Sequence, residues 1–402
     1  VRSGRRPGAA SSIPLNFRIC TFGLILAALF PCRKRSVIRV KIFTLIIIII
    51  TMLPILIEYI LYTWKCIMAR DIPMLVKQLT ISVLIILYYF KIRLCTVQNE
   101  NFAVIIDVIS NDYLRASKLG KGYQVIYDKY LKLSHNGETM LMINNILMVM
   151  SFPLMSLLGL LRRYVIKGEY FGPDLQLHPM DFTYFEKKQF ESPYFEIIWF
   201  YMLYIVCLMF FSFSGFDSLF CISVTHVSLK MKLVAHRLRC TMKISRDKLE
   251  LRQEVKNVVI DHQVAIDFYN LVQELFSGWL FLVYCVTSFA IALNLYLVSI
   301  GDGVEARSTI FVGCCVIHAF IPCRYASILN EVLILNIFIH YSLYSCGWEQ
   351  WQDPDTTKML TFMIARAQIP LEMRALGLVG FNMELFVAMV KTSYSMFTIL
   401  RK

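Results

Sequence analysis

The last apolar stretch, "ELFVAMVKTSYSMFTILRK", carries Glu384, Lys391, Ser395 and Thr398 among residues otherwise suited to hydrocarbon. On a helix advancing about 100° per residue these four fall within about 40° of Glu384, so they form one polar stripe. Charged side chains inside a membrane span face protein or a water-filled path rather than lipid. A single helix with one wet stripe cannot enclose a conduit, whereas several copies around an axis can. The stripe therefore reads either as part of an ion path or as hydrogen-bonding glue between helices.

A second set of candidates sits in the other apolar blocks. His318 lies within an apolar run, where an imidazole needs a cavity or a partner. Gln78 and Ser82 are polar points in another run, and Met150, Pro153, Leu157, Trp199, Met202, Phe311 and Cys314 supply aromatic and sulfur surface nearby. A mostly apolar cavity with a few polar groups suits a small lipophilic ligand, and methionine lets such a pocket adapt its shape. Plain interhelical packing is the competing reading of the same residues.

Other chemistry is excluded by pattern. The sequence has no Gly-x-x-x-x-Gly-Lys-Ser/Thr, His-Glu-x-x-His or Gly-x-Ser-x-Gly, so no enzyme is expected and no cofactor is called for. The histidines at 135, 178, 226, 236, 262, 318 and 340 form no ligand spacing. The twelve cysteines read as small apolar fillers, since Cys207, Cys285, Cys314 and Cys315 lie inside apolar blocks.

These residues must be positioned by membrane helices. Hydrophobic residues make up 57% of the 402-residue chain and charged residues 17%, with a mean hydropathy of +0.58; a soluble domain carries roughly 25% charge. Seven apolar stretches reach the length a bilayer core demands: about 37–64, 73–92, 140–162, 195–218, 275–299, 308–330 and 377–400. Placing the N-terminus inside gives the inner connections roughly three times the Lys and Arg of the outer ones, so the positive-inside rule sets the N-terminus in the cytoplasm and the C-terminus outside. That rule also accounts for the net charge of +13 without nucleic acid. Apolar positions recur at helical spacing through 219–274, which predicts helices that continue out of the membrane and pack together.

The expected fold is thus an all-α membrane protein with seven transmembrane helices and a cytoplasmic anchor. Residues 1–36 form a cytoplasmic N-terminus whose short apolar run, 19–31, reads as an interfacial or re-entrant helix. A cleaved signal peptide is not expected, because "RKR" follows the run without a small-x-small site. Residues 37–330 form a six-helix bundle, 331–376 an anchor helix and loop that includes His340, Tyr341, Tyr344 and Trp348, and 377–402 the terminal helix.

The ending closely resembles the C-terminal signature of the insect odorant receptors, in their tuning subunits rather than the co-receptor, a phrase of the type ETF-x-x-I-L-K-x-S-Y-S-x-F-T-x-L-R. Glu384, Phe386, Lys391, Ser393, Tyr394, Ser395, Phe397, Thr398, Leu400 and Arg401 match it. "DHQVAIDFYNLVQELFSGWLFLVY", "YSLYSCGWEQW", "ARAQIP" and "FGLILAALFP" are similar to other segments of that family. The resemblance implies a ligand-gated, non-selective cation channel of the plasma membrane of a sensory neuron dendrite, a heterotetramer with a common co-receptor whose final helices line one pore. It implies an odorant pocket in the outer half between the second, third, fourth and sixth spans. Tyr394, Phe397 and Arg401 are the implied pore and gate residues; aligned through Ser393 and Tyr394, the outer constriction falls on Phe397 and Arg401. These lie about 100° or more from the polar stripe, which is then left to subunit contacts or the wider path. The expected partners are the co-receptor, a small volatile odorant and the lipid bilayer. A gustatory receptor lacks support because its Thr-Tyr-x5-Gln-Phe ending is absent. A G-protein-coupled receptor has the opposite charge orientation.

Overall fold

A computed structural model of the chain describes residues 17–168, 188–189, 191–300, 306–334, 351 and 353–401. The helices are α1 (Arg18–Leu26), α2 (Arg35–Ala69), α3 (Ile72–Val97), α4 (Asn99–Ala116), α5 (Lys121–Lys167), α6 (Tyr194–Ile244), α7 (Lys248–Ile300), α8 (Ala306–Ile334), α9 (Pro354–Ala367) and α10 (Met383–Leu400). A two-residue hairpin, β1 (Arg374–Ala375) with β2 (Val379–Gly380), precedes α10. The protein is an all-helical membrane protein with several long apolar helices. Among the described residues, six helices are long and apolar enough to span: α2, α3, α6, α7, α8 and α10. The remaining expected stretch, 140–162, lies on α5. The expectations for His178, His340, Tyr341, Tyr344 and Trp348 fall outside the described residues.

Length separates the bundle from what lies beyond it. Helices of 47, 51 and 53 residues in α5, α6 and α7 run about 70–80 Å at 1.5 Å per residue, more than twice the roughly 30 Å hydrocarbon core. Their continuations carry a core of their own. Val234 and Leu238 of α6, Leu251 and Val255 of α7, and Leu360 and Met363 of α9 are buried together. Around this core Arg237 pairs with Glu254 at 3.1 Å and with Asp261. Arg252 reaches Asp353 at 2.7 Å and Asp355 at 2.8 Å. Asp353 also caps α9, accepting from the Thr356 amide at 3.1 Å; the Arg252 hydrogen bond and then Thr356 hold its carboxyl well below the usual range.

The N-terminal segment folds as a shorter helix than its apolar run. α1 spans nine residues and packs against α5 and α6 by burying Phe17, Cys20 and Leu24. Glu138 of α5 accepts from the Cys20 amide at 3.0 Å in the first turn of α1, where an anion offsets unpaired amides. The close approach to α6 requires glycine on both sides: a Cβ on Gly23 would lie 2.8 Å from the Gly215 nitrogen, and one on Gly215 would lie 2.5 Å from the Leu24 nitrogen. Behind α1, the Lys41 ammonium donates to Asn99 Oδ1 at 2.9 Å and to the carbonyl of Cys95 at 3.5 Å near the end of α3. The described cysteines are all free; Cys20, Cys66, Cys95, Cys221, Cys314, Cys315 and Cys323 are buried, whereas Cys285 is exposed.

The final helix starts at Met383 rather than at 377, because the preceding residues turn back on themselves. Leu376 and Gly377 take positive φ values of 49° and 72°, the paired left-handed geometry of a tight hairpin, for which glycine is suited. α7 holds this hairpin from one side. Gln273 donates to the Arg374 carbonyl at 2.6 Å and accepts from its amide at 2.9 Å, while Ser277 accepts from the Leu376 amide at 2.8 Å. Asn382 then caps α10 through the Leu385 amide at 2.8 Å, and Ser327 of α8 accepts from the Met383 amide at 3.0 Å.

His262, on the extended part of α7, is 6% exposed. Burial, with the positive Arg366 nearby, pushes its pKa down to about 4, whereas an unfolded histidine titrates near 6.5. The unfolded chain therefore binds the proton first. Stability is full above about pH 6.5 and falls as pH drops from there toward 4, by up to about 3 kcal/mol. Melting of the nanodisc-embedded protein at pH 7.5, 6 and 5 should show that fall, and His262→Phe should flatten it; equal slopes in the two proteins would contradict the assignment.

Candidate ligand-binding and pore-lining sites

Where α2, α3 and α6 meet, with Val149 of α5 behind them, an apolar cleft of about 60 Å³ remains. Met52, Ile55, Leu56, Ile81, Leu84, Ile85, Tyr89, Met202, Ile205, Val206 and Met209 complete its walls. The α3 wall follows from spacing: Ile81, Ile85 and the next turn share one face at i, i+4. Opposite it, Val76 and Leu79 of α3 pack on Leu293 and Leu297 of α7. Thr80 accepts from Asn294 of α7 at 3.3 Å.

Of the expected ligand-binding residues, Met202 lines this cleft. Gln78 stands one turn from Ile81 on the same face of α3. It is fully buried, its side-chain amide has no hydrogen-bond partner, and its backbone carbonyl accepts from the Tyr59 hydroxyl at 3.2 Å. Ser82 turns back onto the Leu79 carbonyl at 2.6 Å. Trp199 keeps a buried indole N–H without a partner and sets its ring edge-on to Phe200 at 5.4 Å. Met150 follows Val149 and packs on the bundle core; Pro153 is half-buried farther along α5, and Leu157 is exposed. Phe311 and Cys314 are buried in α8, and the structure does not bring them to the cleft. The α2 wall and Tyr89 escaped the sequence reading because nothing distinguishes them from other residues of an apolar helix.

His318 belongs to a different group. Lys91 of α3, 0% exposed, pairs with Asp217 of α6, 2% exposed, at 2.6 Å, and His318 Nδ1 stands 4.0 Å from the other carboxylate oxygen. The Lys91 ammonium also sits 3.8 Å above the Phe213 ring, a cation–π contact strengthened by desolvation. The sequence reading singles out neither Lys91 nor Asp217. The available signal was a single acid in "FFSFSGFDSLF" and a single base ending another apolar run.

The terminal helix is attached along one side only. Met389 and Ser393 are its buried residues, and Phe386 meets Phe320 of α8 edge-on at 5.4 Å. Glu384, Lys391, Ser395 and Thr398 are all exposed. At about 100° per residue the buried pair lies about 140–180° from Glu384, so the polar stripe points directly away from the bundle. Tyr394 is 61% exposed, Arg401 is exposed, and Phe397 lies half-buried on the flank of the attached side. Only 11% of the apolar window of α10 is buried, against 61% for α8.

Removing one member of a buried ion pair strands the other, at a cost of about 3–5 kcal/mol, whereas apolar replacement of both is often neutral. Asp217→Ala should accordingly sharply lower the melting temperature and surface yield. The double change Lys91→Met with Asp217→Leu should restore most of both, as read by thermal melting and surface labelling. A double variant as impaired as the single would contradict the pairing.

A family profile described as 7tm Odorant receptor matches residues 71–394. Odorant receptor 46a, isoform A, of Drosophila melanogaster is 24% identical over 193 residues, 47% of this chain and 50% of that one. Odorant receptor 10 of Aedes albopictus is 26% identical over 223 residues, 53% and 57% of the two chains. The chain thus matches about half the length of these curated relatives. The fold is similar to that of the olfactory receptor OR5 from Machilis hrabei in complex with eugenol, with a TM-score of 0.76 at 16% identity over 97% of this chain and 99% of that one. It is also similar to a second structure of the olfactory receptor OR5 from Machilis hrabei, with a TM-score of 0.68 at 15% identity over 94% of this chain and 96% of that one. With the profile covering most of its length, this chain belongs to the insect odorant receptor family.

Proposed function

We propose that the protein is an odorant-binding subunit that opens a non-selective cation channel in the plasma membrane together with the family's co-receptor. Its N-terminus is cytoplasmic, its C-terminus outside, and α6, α7 and α9 form its part of a cytoplasmic anchor. The observation that carries the channel reading is the orientation of the stripe on α10. The membrane-facing side of α2 exposes Ile46, Ile50, Leu53, Ile57 and Ile60, as lipid requires. The free side of α10 instead exposes Glu384, Lys391, Ser395 and Thr398, flanked by Val387 and Ile399. Charges on such a surface need water or sister helices, and α10 gathered around an axis supplies both. The family resemblance assigns the narrow outer part to Tyr394, Phe397 and Arg401; Tyr394 and Arg401 are exposed, whereas Phe397 lies on the flank of the attached side and would reach the constriction only at the outer end of the helix, beyond the stripe.

The apolar cleft supports the ligand half of the reading. Its walls offer a solute almost no polar surface, so a small lipophilic volatile suits it better than any ionic compound. Eugenol, which the similar OR5 structure contains, is of that chemical type. Binding opens the channel only to the extent that the odorant prefers the open arrangement. The flexible methionines Met52, Met202 and Met209 let the cleft enlarge around an occupant.

Currents recorded from cells expressing this chain with a co-receptor, under blockade of G-protein signalling, test the proposal. A panel of volatile phenols, esters and alcohols that includes eugenol should evoke fast cation current; current lost under blockade, or none with any panel member, would overturn it.

Two substitutions separate cleft from pore. Val206→Phe should raise the half-maximal concentration of the most potent panel member by about tenfold or more, the scale of a misfit in an apolar pocket, at unchanged surface expression. Phe397→Ala should alter single-channel conductance or resting leak instead. Unchanged responses to both would contradict the assignment.

A further inference from the structure

The Lys91–Asp217–His318 group lies between the two sites and belongs to neither. Lys91 is two residues from Tyr89, which lines the cleft, and Asp217 is two turns from Met209, which lines it on α6. His318 is two residues from Phe320, whose ring meets Phe386 of the terminal helix at 5.4 Å. Farther along α8, Ser327 accepts from the first amide of α10. Asp217 therefore bridges α3, which forms a wall of the cleft, and α8, which carries the terminal helix.

One half of the bridge is made and the other is open. Lys91 and Asp217 are in direct contact at 2.6 Å. His318 is 4% exposed, both its ring nitrogens lack a hydrogen-bond partner, and Nδ1 stands 4.0 Å from Asp217 Oδ2. Closing that gap by about an ångström brings the pair into hydrogen-bond range and gives a buried ring nitrogen the partner it lacks. A small displacement of α8 toward Asp217 would give the group a second arrangement, the kind of bistable contact that transmits a bias between sites.

We propose that Lys91, Asp217 and His318 are positioning residues for gating: Lys91 holds Asp217 in place, and closure of His318 onto Asp217 stabilises the odorant-occupied, open arrangement of α8 and α10. The inference rests on the channel reading above. It deepens that reading by naming the element that couples cleft to pore.

The test is a mutant cycle on the complex with the co-receptor, using eugenol or, if eugenol is silent, the most potent phenol, ester or alcohol of the panel. His318→Leu should raise the half-maximal concentration by about tenfold, within the usual range of coupling between sites, and lower resting current, with surface expression unchanged. In the background Lys91→Met, Asp217→Leu the same substitution should have no further effect. Should His318→Leu not reach the surface, His318→Gln replaces it in both backgrounds with the same expectation in reduced form. An effect of equal size in the two backgrounds, no effect in either, or a raised resting current overturns the proposal while leaving the channel reading intact. Absence of any odour-evoked current in the unmodified complex overturns both.

Discussion

Two opposite charges almost wholly withdrawn from solvent and lipid, Lys91 and Asp217, impose a directional constraint on this bundle that apolar contacts do not. Apolar helices slide and rotate against one another at little cost in a bilayer, because lipid is as good a neighbour as leucine. A buried ammonium facing a buried carboxylate does not tolerate that freedom: separation by one helical turn leaves both unpaired in a low-dielectric medium. The pair therefore fixes the register of α3 against α6. That register sets which faces of the two helices meet, and so places Ile81 and Ile85 across from Met202 and Val206.

From this fixed point the fold runs in two directions. On one side, α2 closes over the gap between α3 and α6 and leaves a cleft whose walls are almost wholly apolar. On the other, α8 and α7 hold the terminal helix by a small number of directed contacts: the hairpin pinned by Gln273 and Ser277, the Asn382 cap, the Ser327 bond and the Phe320–Phe386 contact. These attach α10 at its beginning and along one side. Its remaining length projects free of the bundle, which suits a helix completed by neighbouring subunits and able to move with α8.

Sequence alone conveyed the membrane class and located five of the six apolar helices long enough to span, α2, α3, α6, α7 and α8, because long apolar runs are what a bilayer core demands. It also conveyed the polar stripe of α10, since helical periodicity maps directly onto a face. The start of α10 was misplaced by six residues, because "LGLVGF" is as apolar as a span, and only the φ values at Leu376 and Gly377 reveal a turn there. Placement of the ligand-binding candidates was harder to read. An apolar cleft is defined by which faces meet, and residues such as Ile85 or Val206 carry no compositional mark of facing it. His318 announced itself as unusual by type, but its neighbour Asp217 lies 101 positions earlier on another helix, a pairing that no local pattern encodes.

The central claim is that the stripe of α10 faces water in the assembled channel, and thiol accessibility measures it directly. Cysteine placed in turn at Lys391, Ser395, Thr398 and, as a control on the attached side, Met389 is exposed to a charged, membrane-impermeant thiol reagent during odour-evoked current, each against the unmodified complex. The account predicts block at the stripe positions and none at Met389. Stripe cysteines that leave the current untouched while reacting with a lipid-soluble reagent would place that face in the bilayer and contradict it.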